Sequence, residues 1–263
     1  MACSDLRPHR RTVLASRTEN QKDMMFLEPR KPRIDHTDPG NCEPTLAVDG
    51  LSFDYARTKV WSDVSFTLNS GMAAFLIGGN GSGKTTLFNC LAGWIQPSGG
   101  SIKLCGSRLD GRNRQQRSLL FYVPDTPSFY EDLTAREHIR FLLAANKVDY
   151  NQSNAEDILE RLDLREQADR FPSSYSRGMR QKLALAVGLA LQPRLLLLDE
   201  PFGPLDPASL ETACALLDQL RHKGTAILLS SHHAVPSLQP DLLLRLDKGH
   251  LETLDEEDSR WTA

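Results

Sequence analysis

From Thr45 onward, the apolar positions alternate between the spacing of a strand and that of a helix. Val64-Ser65-Phe66-Thr67-Leu68 alternates strictly, as a half-buried strand does. Leu46-Ala47-Val48 and Leu51-Ser52-Phe53-Asp54-Tyr55 read as two short strands, with Asp49-Gly50 as the turn between them. Ala73 to Ile77 is a continuous apolar run, short enough for a buried strand, and Leu87, Phe88 and Leu91 then share one helical face. Pro97-Ser98-Gly99-Gly100 predicts a turn, and Ser101–Leu104 and Leu119–Val123 predict strands. Helical signals follow. Thr134-Ala135-Arg136-Glu137 is a capping box for a helix reaching about Asn146, and Ser153-Asn154-Ala155-Glu156 reads as a second. Ser176-Arg177-Gly178 opens a third helix, with Met179, Leu183, Ala186, Val187 and Ala190 on its apolar face. Leu195–Leu198 is a buried strand, Asp206-Pro207 starts a helix that ends at Gly224, and Ala226–Leu229 is a strand. Leu242–Leu246 and His250–Leu254 form a hairpin about Lys248-Gly249. Strands interleaved with helices specify an α/β fold, here with a helical insertion over about residues 125–190.

Composition narrows the picture. The chain has 263 residues with 40% hydrophobic and 25% charged positions, as expected for a soluble globular protein of about 210 ordered residues. The net charge of −3 does not point to nucleic acid. No apolar stretch reaches membrane-spanning length, so a membrane step would need another chain. The five cysteines form no C-x-x-C pair and read as reduced thiols, three of them in the core. Residues 1–44 carry Pro8, Pro29, Pro32, Pro39 and Pro44 with few large apolar residues, which predicts a disordered extension; residues 255–263 read as an acidic tail.

The chemistry begins after the apolar run at Ala73–Ile77. Gly78-Gly79-Asn80-Gly81-Ser82-Gly83-Lys84-Thr85 matches G-x-x-x-x-G-K-[ST] between a strand and a helix, and Thr86 continues it. Glycines allow several N–H groups to converge on one anion, and the helix start adds its positive end. Lys84 is placed for the β- and γ-phosphates of a nucleoside triphosphate and the Thr85 hydroxyl for Mg²⁺. A second strand delivers Asp199 to the same cation, and Glu200 follows as a candidate general base. His232 follows a further buried strand, where ligands collect in a parallel sheet. Tyr55 ends its strand as an ordinary surface tyrosine or as a ring that could stack on a base.

Taken in order, the phosphate loop Gly78–Thr85, Y-S-R-G-M-R-Q at Tyr175–Gln181, L-L-L-L-D-E-P at Leu195–Pro201, G-P-L-D at Gly203–Asp206 and S-S-H at Ser230–His232 resemble the nucleotide-binding subunits of ATP-binding cassette (ABC) transporters. The resemblance covers about residues 45–254. It implies a P-loop NTPase core with an antiparallel β subdomain and a helical subdomain, ATP and Mg²⁺ as ligands, and ATP hydrolysis coupled to transport. It also implies a separate multi-span permease, a cytoplasmic position on the membrane, and a second cassette, identical or related, closing head to tail. Ser176 and Gly178 would then face the partner's ATP, Asp206 would communicate across the dimer, and Tyr55 would stack on adenine. The chain departs from the family pattern in two places. Asp125 stands where a glutamine usually contacts Mg²⁺, and Arg177 and Met179 change the usual L-S-G-G-Q. These variants resemble cassettes of polytopic exporters. The alternatives are a soluble cassette ATPase in translation or cofactor assembly, and a weakly hydrolysing regulator.

Overall fold

The computed structural model describes residues 43–56, 58–231, 235 and 238–254. The N-terminal extension up to residue 42, His232 and the acidic tail lie outside the described residues.

A four-stranded antiparallel sheet is built from β1 (Leu46–Tyr55), β2 (Thr58–Leu68), β4 (Gly99–Leu104) and β5 (Ser107–Arg108) in the order β2-β1-β4-β5. The second sheet is six-stranded, ordered β10-β9-β3-β8-β7-β6. Its strands are β3 (Ala73–Ile77), β6 (Leu120–Val123), β7 (Leu195–Leu198), β8 (Ala226–Ser230), β9 (Leu242–Asp247) and β10 (His250–Leu254). Strands β9, β3, β8, β7 and β6 run parallel, and β10 closes the edge antiparallel to β9.

The uninterrupted leucine run of β7 has a direct structural cause. Leu195 and Leu197 face the side that holds β1, β2 and α1 (Lys84–Leu91), whereas Leu196 and Leu198 face the helices on the other side. Strand β8 divides likewise, with Ala226 and Leu228 on one face and Ile227 and Leu229 on the other. A parallel sheet covered on both faces must be apolar at every position. Each buried leucine contributes roughly 1.5–3 kcal/mol. A short helix, α2 (Arg114–Arg117), precedes β6, and the helical face is covered by α3 (Ala135–Ala145), α4 (Ala155–Arg161), α5 (Arg177–Leu191) and α6 (Pro207–His222).

Three expectations are corrected. Asp49-Gly50 is not a turn, because residues 46–55 form one strand flanked by β2 and β4, and both halves pair with both neighbours. Gly50 sits at φ +55 where the register shifts, so the extra residue becomes a bulge, and its N–H donates to Ser65 Oγ at 2.8 Å. The box at Thr134–Glu137 forms, but the one at Ser153–Glu156 does not. Asn154 caps α4 with no side-chain bond, while the Glu156 carboxylate is drawn to the Arg136 guanidinium and the Tyr150 hydroxyl. Arg136 also holds Asp169, at 2.8 Å. A charged donor outcompetes a neutral backbone N–H for that carboxylate. Finally, Cys90 and Cys214 are buried, their thiols pushed up to about 12 by burial, but Cys105 is only half-buried.

Candidate functional site

Strands β3, β8, β7 and β6 lie side by side and parallel, so the loops that follow them emerge at one edge. Ligands gather at this edge of an open α/β sheet. After β3 the chain curls through residues 78–83 into α1. Gly83 adopts φ +99, and a Cβ there would stand 2.6 Å from Val60 Cγ1 and 2.8 Å from Trp61 Cδ1. Only glycine fits, and the Trp61 indole N–H reaches its carbonyl at 3.4 Å. Lys84, the first residue of α1, has a side chain only 8% exposed. Its ammonium donates to the carbonyls of Gly78 at 2.8 Å and Gly79 at 3.3 Å and lies 3.9 Å from a Glu200 carboxylate oxygen. A buried ammonium needs such acceptors, and the loop supplies them from its own backbone.

Asp199 follows β7 and is buried. Ser230 Oγ donates to Asp199 Oδ1 at 2.8 Å and accepts from the Glu200 N–H at 2.9 Å. One hydroxyl thus sets the carboxylate of Asp199 and the backbone of Glu200. The Tyr122 hydroxyl stands 3.5 Å from the other Asp199 oxygen. Burial, and then the Asp199 charge, push the Tyr122 phenol up, so it keeps its proton and remains a donor. Glu200 itself sits at φ +48, a left-handed conformation that costs a non-glycine residue about 1 kcal/mol or more. The sequence gives Ser230 only as the first residue of S-S-H and assigns no role to it or to Tyr122. Strand register brings both in: Leu198 pairs with Leu229 and with Val123, which sets Ser230 at the end of β8 and Tyr122 near the end of β6 beside Asp199, just after β7.

These groups surround a cavity of about 380 Å³. Residues Asn80 through Thr86 line it, with Asp199, Glu200, Asp125 and Tyr55. Tyr55 is 57% exposed, edge-on to Phe53 at 4.8 Å between ring centroids. Gly78 and Gly79 meet the site through the carbonyls that hold Lys84. Ser176 and Gly178 do not line the cavity; they belong to the start of α5, where Ser176 Oγ accepts from the Met179 N–H at 3.2 Å. Between them, Arg177 donates to Asp125 Oδ1 at 3.1 Å, so two of the residues that depart from the family pattern touch each other.

The site suits a triphosphate and its cation. The Ser82 hydroxyl is shielded from solvent and has no hydrogen-bond partner among the described residues, which leaves a donor for an oxyanion. The candidate cation ligands Thr85, Asp199 and Asp125 offer oxygen alone, the preference of a hard ion such as Mg²⁺.

Comparison with known proteins agrees. Residues 61–203 match the family model described as ABC transporter. The chain is 32% identical over 189 residues to the ABC-type transporter ATP-binding protein EcsA of Bacillus subtilis, covering 71% of this chain and 76% of that protein. It is 32% identical over 199 residues to the lipopolysaccharide export system ATP-binding protein LptB of Haemophilus influenzae, covering 73% and 82%. Among solved structures, an ATP-binding subunit of an ABC transporter superposes with a TM-score of 0.76 at 31% identity, over 82% of this chain and 93% of that one. Fold, motif order and relatives converge: the chain belongs to the ABC transporter family, as an ATP-binding subunit with ATPase activity.

Proposed function

We propose that the chain is the ATP-hydrolysing motor of a membrane exporter, acting with a separate multi-span permease and a second cassette that closes on it head to tail. The observation that carries this reading is the division of the machinery. Lys84, Asp199 and Glu200 gather round one cavity, while Ser176 and Gly178 stand outside it at the start of α5. A phosphate held by the loop of one chain would meet the Ser176 hydroxyl and the Gly178 N–H of the other.

Within one chain, Tyr55 stacks on adenine and the N–H groups from Gly79 to Thr86 hold the phosphates. Lys84 leaves the carbonyls of Gly78 and Gly79 for phosphate oxygens. Thr85 and Asp199 would ligate Mg²⁺, with Asp125 acting through water because one of its oxygens serves Arg177. Held there, the cation would supply Lewis-acid stabilisation of the negative charge that develops on the transferred phosphate. Glu200 takes the proton of the attacking water, its backbone held by Ser230. His232 is assigned from sequence to orient that water and Glu200. Closure of the two cassettes drives the permease, and hydrolysis resets it. Among the described residues no helix is long and apolar enough to cross a membrane, in keeping with a peripheral subunit on the cytoplasmic face. Relatives include both the LptB export protein and the Fe(3+) ions import ATP-binding protein FbpC 2 of Haemophilus influenzae, so export rests on the likeness of the Asp125 and Tyr175–Met179 variants to exporter cassettes.

The test is to express a tagged Glu200→Gln chain, solubilise the membranes in mild detergent with MgATP and identify what co-purifies. A multi-span membrane protein is expected. Vesicles reconstituted with both wild-type proteins then give the direction. Soluble partners alone, with the chain absent from membranes, would replace the exporter reading with a soluble cassette ATPase.

A further inference from the structure

The ion pair between Asp125 and Arg177 joins residues 52 positions apart, one on the rim of the phosphate cavity and one at the first turn of α5. Its side chains are 49% and 64% exposed, so it adds little to folding. The first turn of a helix is also a poor place for a cation, because the backbone dipoles there already present positive charge. The cavity supplies the reason for the pair. Among the described residues its charged lining is Lys84 against three carboxylates, those of Asp125, Asp199 and Glu200. A triphosphate entering it brings further negative charge. Lys84 lies beside Glu200, and Asp199 is held by Ser230 and Tyr122. Arg177 is the guanidinium bonded to Asp125.

We propose that Arg177 is a positioning and charge-compensating residue for Asp125, which neutralises the cavity rim so that ATP can enter it. Arg177 therefore acts on nucleotide affinity through Asp125. This rests on the cavity being the ATP site.

The test measures the dissociation constant of ATP for the full chain by titration calorimetry in EDTA, which removes any role of Asp125 as a cation ligand. Arg177→Met exposes the Asp125 charge to the phosphates and is expected to weaken binding about three-fold or more at low salt. Asp125→Asn removes that charge and is expected to tighten binding about two-fold or more, by the same electrostatic reasoning. The double variant should return to within about two-fold of wild type, and Arg177→Lys should retain most of the affinity. Raising the salt to about 1 M, where the screening length falls to about 3 Å, should collapse the differences. The sign of the Asp125→Asn effect decides the matter even if Arg177→Met fails to fold. Weaker binding in both single variants, or losses that add in the double variant and ignore salt, would overturn the inference in favour of a purely structural contact. Lys84→Ala separates the two levels. If it abolishes binding while the Asp125 and Arg177 variants bind as wild type, only the pair's role fails. If Lys84→Ala binds ATP normally, the reading of the cavity fails first.

Discussion

Lys84 and Arg177 are both cations in the first turn of a helix, and the protein treats them in opposite ways. Lys84 is enclosed, its ammonium shared among the carbonyls of Gly78 and Gly79 and the carboxylate of Glu200. Arg177 is exposed and bonded to Asp125 at the cavity rim. The first belongs to a site whose polar groups are already oriented before any ligand arrives: Ser230 and Tyr122 hold Asp199, and Ser230 also fixes Glu200. The second belongs to a helix start that is turned outward. Preorganised groups cost little to use when a ligand binds, whereas an outward helix start is useful only when something is brought to it. The contrast suits an enzyme whose catalytic groups lie in one subunit and whose closing surface is completed by another, as proposed above.

The largest way to break this comparison is to remove the enclosed cation. Lys84→Ala leaves the phosphate loop without its charge and is expected to reduce ATP hydrolysis by about two orders of magnitude or more, with loss of ATP binding, measured by phosphate release and calorimetry. Glu200→Gln is expected to reduce turnover by a similar factor while ATP binding survives, and to shift the chain toward a dimer in size-exclusion chromatography with MgATP. Retained turnover would remove Glu200 from the role of base.

Ser230→Ala sharpens the comparison at the level of preorganisation. It strips a donor from the buried Asp199 and an acceptor from the Glu200 N–H, a loss of about 1–3 kcal/mol in stability. The turnover number should fall more than the Michaelis constant rises, because the base and the cation ligand lose a common support. Unchanged turnover would mean that the Ser230 bridge is structural only.

The smallest effect is expected far from the cavity. Thr134→Ala removes the hydroxyl half of the α3 capping box and should cost about 1 kcal/mol by denaturant unfolding, with ATPase activity nearly intact. The Thr134 backbone N–H, which alanine keeps, and then the hydroxyl, which alanine loses, hold the Glu137 carboxyl below its ordinary range. A carboxyl depressed in the folded state stabilises fully above its unfolded value and loses that contribution as pH falls through its folded value. The gap between variant and wild type should therefore narrow on acidification below the usual glutamate range.

Much of the molecule was legible in one dimension because its signals are local. Gly78–Thr85 is a single loop, so its residues are close whatever the rest of the chain does. The Leu195–Leu198 run announced a strand buried on both faces, and Thr134 with Glu137 announced a helix start, each from neighbours in sequence. The failed readings share another cause. Asp49-Gly50 has the composition of a turn, but strands on both sides of β1 offered the backbone more hydrogen bonds if it continued as one bulged strand. Ser153–Glu156 has the composition of a capping box, but Arg136, twenty positions earlier, claimed the glutamate.

Sequence alone determined which residues could handle a phosphate, a cation and a water, because that depends on side-chain chemistry and on spacing within a loop. Tertiary structure alone decided who holds them in place. Ser230 lies 31 positions from Asp199, and Arg177 lies 52 from Asp125. Those distances close only when β8 pairs with β7 and when α5 begins beside the end of β6. A hydrogen bond or an ion pair depends on ångströms in space, and sheet pairing and helix packing set those at a range that no local motif records.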